Sequence, residues 1–247
     1  MGPSARLRAV QDLLEPLSAG PDFLPADQAL SNYFRNRRFI GSKDRRFIRD
    51  TFYIVLHCWQ ALAFAVAEAG AKIDGRSLVL VFLTLNKALD EELFAEGKYG
   101  LAPLTPEEEK LLKGLAAGLD APGWVSGNCP EWLFEKFENR FGKKTDAELS
   151  ALNERAPVDI RINPLKAKEI LEALKELGFE PTKFSEFGFR AGEQTPLAQH
   201  PMFLKGMIEF QDEGSQLAAH LVGAKPGEQI LDLCAGAGGK TLAIGAV

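Results

Sequence analysis

Ten consecutive residues, DLCAGAGGKT at 232–241, bring together a carboxylate (Asp232), a thiol (Cys234), an amine (Lys240), a hydroxyl (Thr241) and three glycines. Glycines in a strand-to-helix turn let the backbone approach a ligand closely and leave N–H groups free at the helix start. Spacing decides which ligand such a turn suits. A phosphate-gripping loop, G-x-x-x-x-G-K-[ST], is completed at its end by Gly239, Lys240 and Thr241, but its first glycine falls on Cys234. A dinucleotide fingerprint, G-x-G-x-x-G, has Gly236 and Gly238 in place and fails at Thr241. A plain glycine turn joining strand to helix is the bland alternative.

A second cluster is basic. RNRRFIGSKDRRFIRD, residues 35–50, carries seven cations and two acids, a local charge of +5 in a chain of net −5, so the remainder carries −10. Arg35, Arg37, Arg38, Lys43, Arg45, Arg46 and Arg49 form either a focused RNA contact or a solvated helix face. Arg45 and Arg49 are four apart and share a face if the segment is helical. The three cysteines, Cys58, Cys129 and Cys234, are too far apart for a metal site or a disulfide framework, and they suit a reducing cytoplasm. His57, His200 and His220 are scattered and read as structural or solvated.

The elements that must position these groups follow from pattern and punctuation. A chain of 247 residues can build one large or two small cores. With 46% hydrophobic and 26% charged residues and no long apolar run, it reads as soluble, without a membrane span or signal peptide. Residues 1–120 read as helical: near 4–19, ended by AGPDFLP, near 26–36, and then one long helix from Ser42 to a stop at Gly70. That helix is apolar almost all round from Phe52 to Val66, as expected for the centre of a bundle. GRSLVLVFLTLNKAL is a further apolar segment, and Thr105, Pro106 and the acids after them mark a helix start. DAPGWVSGNCP is a turn-rich boundary, followed by two short amphipathic helices. From VDIRIN the period changes: VDIRIN, FGFR and MIEFQ read as strands, AKEILEALKELG as a helix closed by Gly178, EGSQLAAHLVGA as a helix. KPGEQILDLC is a turn and a buried strand, and GGKTLAIGAV opens another helix.

A third pattern accounts for the glycine turn. An acid ending the strand (Asp232), followed by Gly236-x-Gly238-Gly239, resembles the first motif of Rossmann-like S-adenosylmethionine methyltransferases. That donor has no pyrophosphate, and Asp232 could orient its amino group directly or through water. The flanks extend the likeness. GMIEFQDEGSQLAAHLVGAKPGEQILDLCAGAGGKT, 206–241, resembles the opening of the catalytic domain of the bacterial Fmu/Sun (RsmB-type) RNA cytosine-C5 methyltransferases, whose motif reads D-x-C-A-x-P-G-G-K-T. Ala237 stands where that motif has proline. Upstream, CPEWL and LNERAPVDIRINPLK are similar to the family's N-terminal extension, and the helical region is similar to its NusB-like RNA-binding domain.

The resemblance implies a multidomain chain: an all-α NusB-like helical RNA-binding domain at 1–125, a helical linker with a small α/β RNA-binding-like module at 126–205, and the first strand, loop and helix of a Rossmann-like methyltransferase domain at 206–247. It implies S-adenosyl-L-methionine as cofactor, held by Asp232, Cys234, Ala235, Gly236, Ala237, Gly238, Gly239 and Lys240. It implies RNA as partner, expected to be 16S rRNA, met by Arg35, Arg38, Lys43, Arg45, Arg46 and Arg49. Arg161 and Asn163 in DIRIN either position RNA or tie the module to the catalytic domain. A monomeric, cytoplasmic protein with neither metal nor membrane partner is expected.

The family's chemistry needs a cysteine thiolate to add to cytosine C6 on an unstacked base, and a second cysteine to complete turnover. Those cysteines lie in P-C-S-G and T-C-S contexts, and neither context occurs here. Cys58 reads as a core residue, Cys129 as part of a boundary turn and Cys234 as packing at the strand end. No catalytic residue is assigned. The chain reads as a truncated form, inactive alone and with little or no donor affinity. The alternative is a non-catalytic NusB-like RNA-binding or antitermination-type protein with a vestigial methyltransferase start. A P-loop nucleotidase is disfavoured by Cys234.

Overall fold

The computed structural model describes residues 1–18, 24–94, 99–116, 120–154, 156–191 and 197–246. It divides into two compact units, 1–154 and 155–247. Residues 19–23, which include most of the expected AGPDFLP break, lie outside the described residues.

The first unit is helical: α1 (Pro3–Ser18), α2 (Ala26–Arg35), α3 (Ser42–His57), α4 (Trp59–Glu68), α5 (Gly75–Leu85), α6 (Pro106–Ala116), α7 (Gly123–Ser126), α8 (Glu131–Phe141) and α9 (Thr145–Asn153). Its core joins Val10 and Leu14 of α1, Ile48 and Phe52 of α3, and Leu78, Leu80 and Val81 of α5. α5 is the central helix, with seven buried residues from Gly75 to Leu83. It starts on a reciprocal cap in which the Ser77 amide donates to Asp74 Oδ1 at 2.8 Å and the Asp74 amide to Ser77 Oγ at 2.9 Å. A Cβ on Gly75 would lie 2.4 Å from the Gln11 carbonyl, so only glycine lets α1 come this close. α6 starts as its sequence indicates, with Thr105 and Glu108 capping each other at 2.9 and 3.2 Å.

The single helix expected over 42–70 is two. The chain turns at Cys58, and α3 and α4 meet at 68°. No proline or glycine causes the break. The His57 carbonyl accepts from the Asn128 side chain, and the His57 ring lies 3.3 Å from the Asn153 carbonyl. The bundle centre consequently passes to α5, while Tyr53 and Ile54 of α3 are exposed.

The second unit holds β1 (Val158–Ile162), α10 (Leu171–Glu176), β2 (Phe179–Pro181), β3 (Gly188–Ala191), α11 (Pro201–Leu204), β4 (Ile208–Phe210), α12 (Glu213–His220) and α13 (Gly239–Ile244). The sheet is antiparallel in the order β2-β3-β1-β4, with Asp159 opposite Arg190 and Arg161 opposite Glu209. Ile160, Ile162, Leu174, Phe189 and Ile208 form its core. The strand expected at QILDLC does not form; Ile230, Leu231 and Leu233 are 44, 85 and 86% exposed. A parallel strand needs neighbours to accept its ladder and cover its faces, and no strand pairs with this segment among the described residues.

Candidate functional site

In the helical unit, α2, the following turn and α3 display the basic segment. Ile40 is buried and pins the turn, while Arg38 and Phe39 beside it point outward. Arg35, Arg38, Lys43 and Arg46 are exposed, with no ion pair among the described residues. Arg49 is also exposed but is bound at 2.8 Å by the neighbouring Asp50. Asp44 is turned away to α1, where Arg6 Nε donates to it at 2.7 Å. Arg45 is half-buried: its Nε donates to the Ile40 carbonyl at 2.8 Å and its guanidinium lies 5.4 Å from the Phe34 ring.

These residues border a groove of about 550 Å³ between α2 and α3, lined by Arg45, Arg46, Arg49, Phe34, Tyr53 and Asp27 among others. Three guanidiniums converge there with two aromatic rings. Guanidinium forks suit phosphate oxygens, and half-exposed rings suit bases or sugars. Sequence pattern does not mark these rings as part of the site. Spacing of i, i+4 and i, i+8 from the arginines of α3 applies to Tyr53 alone, since Phe34 comes from another helix.

In the second unit the glycine turn is formed without its strand. Gly236 and Gly238 adopt left-handed φ of +56° and +84°, and the Gly238 amide donates to the Ala235 carbonyl at 2.8 Å. Gly238 precedes α13, which carries Gly239 and Lys240 in its first turn. Thr241 Oγ1 donates to Asp232 Oδ2 at 2.7 Å, closing the loop from acid to helix. Cys234 is exposed, contrary to the packed position expected for it, because the strand that would bury it is absent. Ala235 and Ala237 lie in the same exposed turn. A Cβ at Gly238 would meet nothing within 4 Å, so the turn stands open.

DIRIN is not a surface strand. Arg161 is 5% exposed; its Nε donates to Gln211 Oε1 at 2.9 Å, and burial pushes its guanidinium below the ordinary arginine value. Asn163 follows the strand, accepts from the Leu165 amide at 3.1 Å and donates to the Gly206 carbonyl at 3.3 Å. Two further polar groups complete this layer. Gln216 of α12 donates to the carbonyls of Ile160 (3.2 Å) and Gln211 (2.8 Å), so α12 lies across β1. Asp159 takes two hydrogen bonds from Arg190 and one from the Glu213 amide; these outweigh burial and hold its carboxyl below the usual range. The polar spacing of QDEGSQ is visible in the sequence, but not that its glutamines cover a strand 50 residues earlier.

Among the described residues, no cluster of three or more histidine, cysteine or acidic side chains could hold a metal, and no single helix is long and apolar enough to cross a membrane.

Residues 129–191 match the family model of the Methyltr_RsmF/B-like, ferredoxin-like domain. The probable ribosomal RNA small subunit methyltransferase B of Synechocystis is 37% identical over 118 residues, 45% of this chain and 26% of its own length. The ribosomal RNA small subunit methyltransferase B of Pectobacterium carotovorum is 33% identical over 233 residues, 83% of this chain and 54% of its own. The chain thus spans about half the length of that relative. The crystal structure of PH0851 superposes with a TM-score of 0.64 at 19% identity, over 100% of this chain and 61% of that one, a likeness of fold.

Proposed function

We propose that this chain, which belongs to the Fmu/Sun (RsmB-type) methyltransferase family, is the RNA-holding and donor-entrance part of an S-adenosylmethionine-dependent cytosine-C5 methyltransferase of small-subunit ribosomal RNA. The observation that carries this reading is the alignment with ribosomal RNA small subunit methyltransferase B over 83% of the chain. The helical unit, NusB-like in this reading, supplies the arginine groove between α2 and α3. Phosphates there would be met by Arg45, Arg46 and Arg49 at the groove and by Arg35, Arg38 and Lys43 around it. Arg161 and Asn163 would serve as internal ties of the sheet unit, within which both are hydrogen-bonded.

The donor, when bound, supplies a methyl group on a sulfonium. Asp232 would orient its ammonium group, the 234–239 backbone would lie along it, and Lys240 would stand beside the loop. Cytosine C5 is a weak nucleophile until a thiolate adds at C6. Burial pushes the thiols of Cys58 and Cys129 up, away from thiolate character, and Cys234 belongs to the donor loop. None of the three is assigned as nucleophile, so the 247-residue chain alone is expected to bind RNA without methylating it and to hold the donor weakly.

Fluorescence anisotropy with a 16S rRNA fragment across a salt series tests this. The chain should bind with a steep negative salt slope. Joint replacement of Arg45, Arg46 and Arg49 by alanine should weaken binding and make the slope shallower by about 0.7–0.9 for each phosphate left without its cation. Binding unchanged by that replacement would reject the groove. Tritium transfer from the labelled donor to cytosine by the chain alone would reject its assignment as non-catalytic.

A further inference from the structure

Arg37 does not line the arginine groove and belongs to a different cavity of the helical unit. Its guanidinium lies 3.8 Å from the centre of the Tyr33 ring, a stacking distance. Around this pair opens a cavity of about 840 Å³ bounded by α1, the end of α2, the turn after it and Tyr99. Its walls include Arg8, Asp12, Tyr33, Arg37, Phe39 and Tyr99. Phe39 is 78% exposed and Tyr99 73% exposed.

The polar groups between these rings are ordered. Asp12 accepts from Arg8 Nε at 3.0 Å and from the Tyr33 hydroxyl at 3.4 Å. Burial, with the Asp12 charge beside it, pushes the Tyr33 phenol up to about 12, so it remains a donor throughout the physiological range. Arg35 and Arg38 are exposed on the adjoining turn. The exposed rings of Phe39 and Tyr99 line the cavity beside the smaller exposed surface of Met1, and cations stand at the rim beside one lining acid, already bound by Arg8. That combination suits a planar heterocycle attached to an anionic backbone.

We propose that this cavity takes an unpaired nucleobase of an RNA strand, stacked on Phe39 and Tyr99, with Arg37 and the rim cations Arg35 and Arg38 beside its flanking phosphates. The proposal rests on the reading of the helical unit as RNA-binding and adds to it a site that is separate from the arginine groove. A base within a duplex presents no free face, so the site selects single-stranded or looped RNA.

The test uses the 247-residue chain and two probes of equal length, an oligoadenylate of about twelve nucleotides and the same ribose-phosphate chain without bases. Anisotropy should show the oligoadenylate bound about tenfold more tightly than the abasic chain. Phe39→Leu and Tyr99→Leu keep an apolar side chain but remove the π-face. Each should abolish most of that difference, with helix content by circular dichroism confirming the fold. Equal affinity for the two probes, or a difference that survives both substitutions, overturns the base site while leaving the arginine groove standing. Binding of neither probe overturns both the base site and the RNA reading beneath it.

Discussion

Arg190 on β3 holds Asp159 on β1 by two parallel hydrogen bonds, Nε to Oδ1 at 2.7 Å and Nη2 to Oδ2 at 2.9 Å. The Asp159 side chain is 2% exposed, whereas that of Arg190 is 46% exposed. The carboxylate therefore bears the cost of burial, and the guanidinium can be partly compensated by water.

Asp159→Asn should destabilise the sheet unit by about 1–3 kcal/mol, less than for a fully buried pair because Arg190 keeps solvent contact. The sign with pH follows from the depressed carboxyl. Its contribution is complete above the unfolded-chain value near 3.8 and is lost as pH falls through the lower folded value. Urea unfolding from about pH 7 down to about pH 2 should show an acid-side loss of stability in the parent that is reduced in the variant. Equal slopes would show that Asp159 contributes nothing to that loss.

Gly75→Ala should lower the melting temperature of the helical unit. The added methyl would lie 2.4 Å from the Gln11 carbonyl and 2.9 Å from the Glu15 amide nitrogen, both backbone atoms that cannot rotate aside. Overpacking of this kind costs about 1–3 kcal/mol, against a helix-propensity gain of at most about 1 kcal/mol. Thermal melts followed by far-ultraviolet circular dichroism check the direction; an unchanged or raised midpoint contradicts it.

Arg45 and Arg46 are neighbours with separable roles. Arg46→Ala should weaken RNA binding and leave stability within about 0.5 kcal/mol, as for an exposed side chain. Arg45→Ala also removes the hydrogen bond to the Ile40 carbonyl and the contact with Phe34, so it should cost about 1 kcal/mol of stability as well. Asp50→Asn frees Arg49 from its ion pair and should strengthen RNA binding at low salt. Paired chemical-denaturation and anisotropy measurements distinguish the three; identical behaviour of Arg45→Ala and Arg46→Ala would refute the division.

The thiols should differ in reactivity. Cys234 is exposed, Cys58 is half-buried and Cys129 is buried, and burial raises the last two. With a disulfide reagent at neutral pH, the fast phase should correspond to Cys234 and vanish in Cys234→Ser. A fast phase that persists in that variant would show that Cys58 or Cys129 is accessible.

Local features are readable from the chain because their partners are local. Thr105 and Glu108 cap one helix across three residues, Gly178 follows α10, and the alternation of VDIRI marks β1. The glycine turn is readable too: left-handed φ at Gly236 and Gly238 needs no distant contact. The basic segment is visible as charge, but not as a groove, because Phe34 and Arg45 meet only when α2 and α3 pack.

By itself the sequence determined the helical character of the first unit and the strand character of VDIRI, FGFR and MIEF in the second. Only tertiary structure decided that the apolar 42–70 segment bends at Cys58, since the group that binds the His57 carbonyl is Asn128, 71 residues on. It also decided that Arg161 is buried against Gln211, 50 residues away. The same holds for Leu231 and Leu233, apolar enough for a buried strand yet exposed. Periodicity and propensity express what a segment can form. Whether it does so depends on which distant groups satisfy its hydrogen bonds and cover its apolar face.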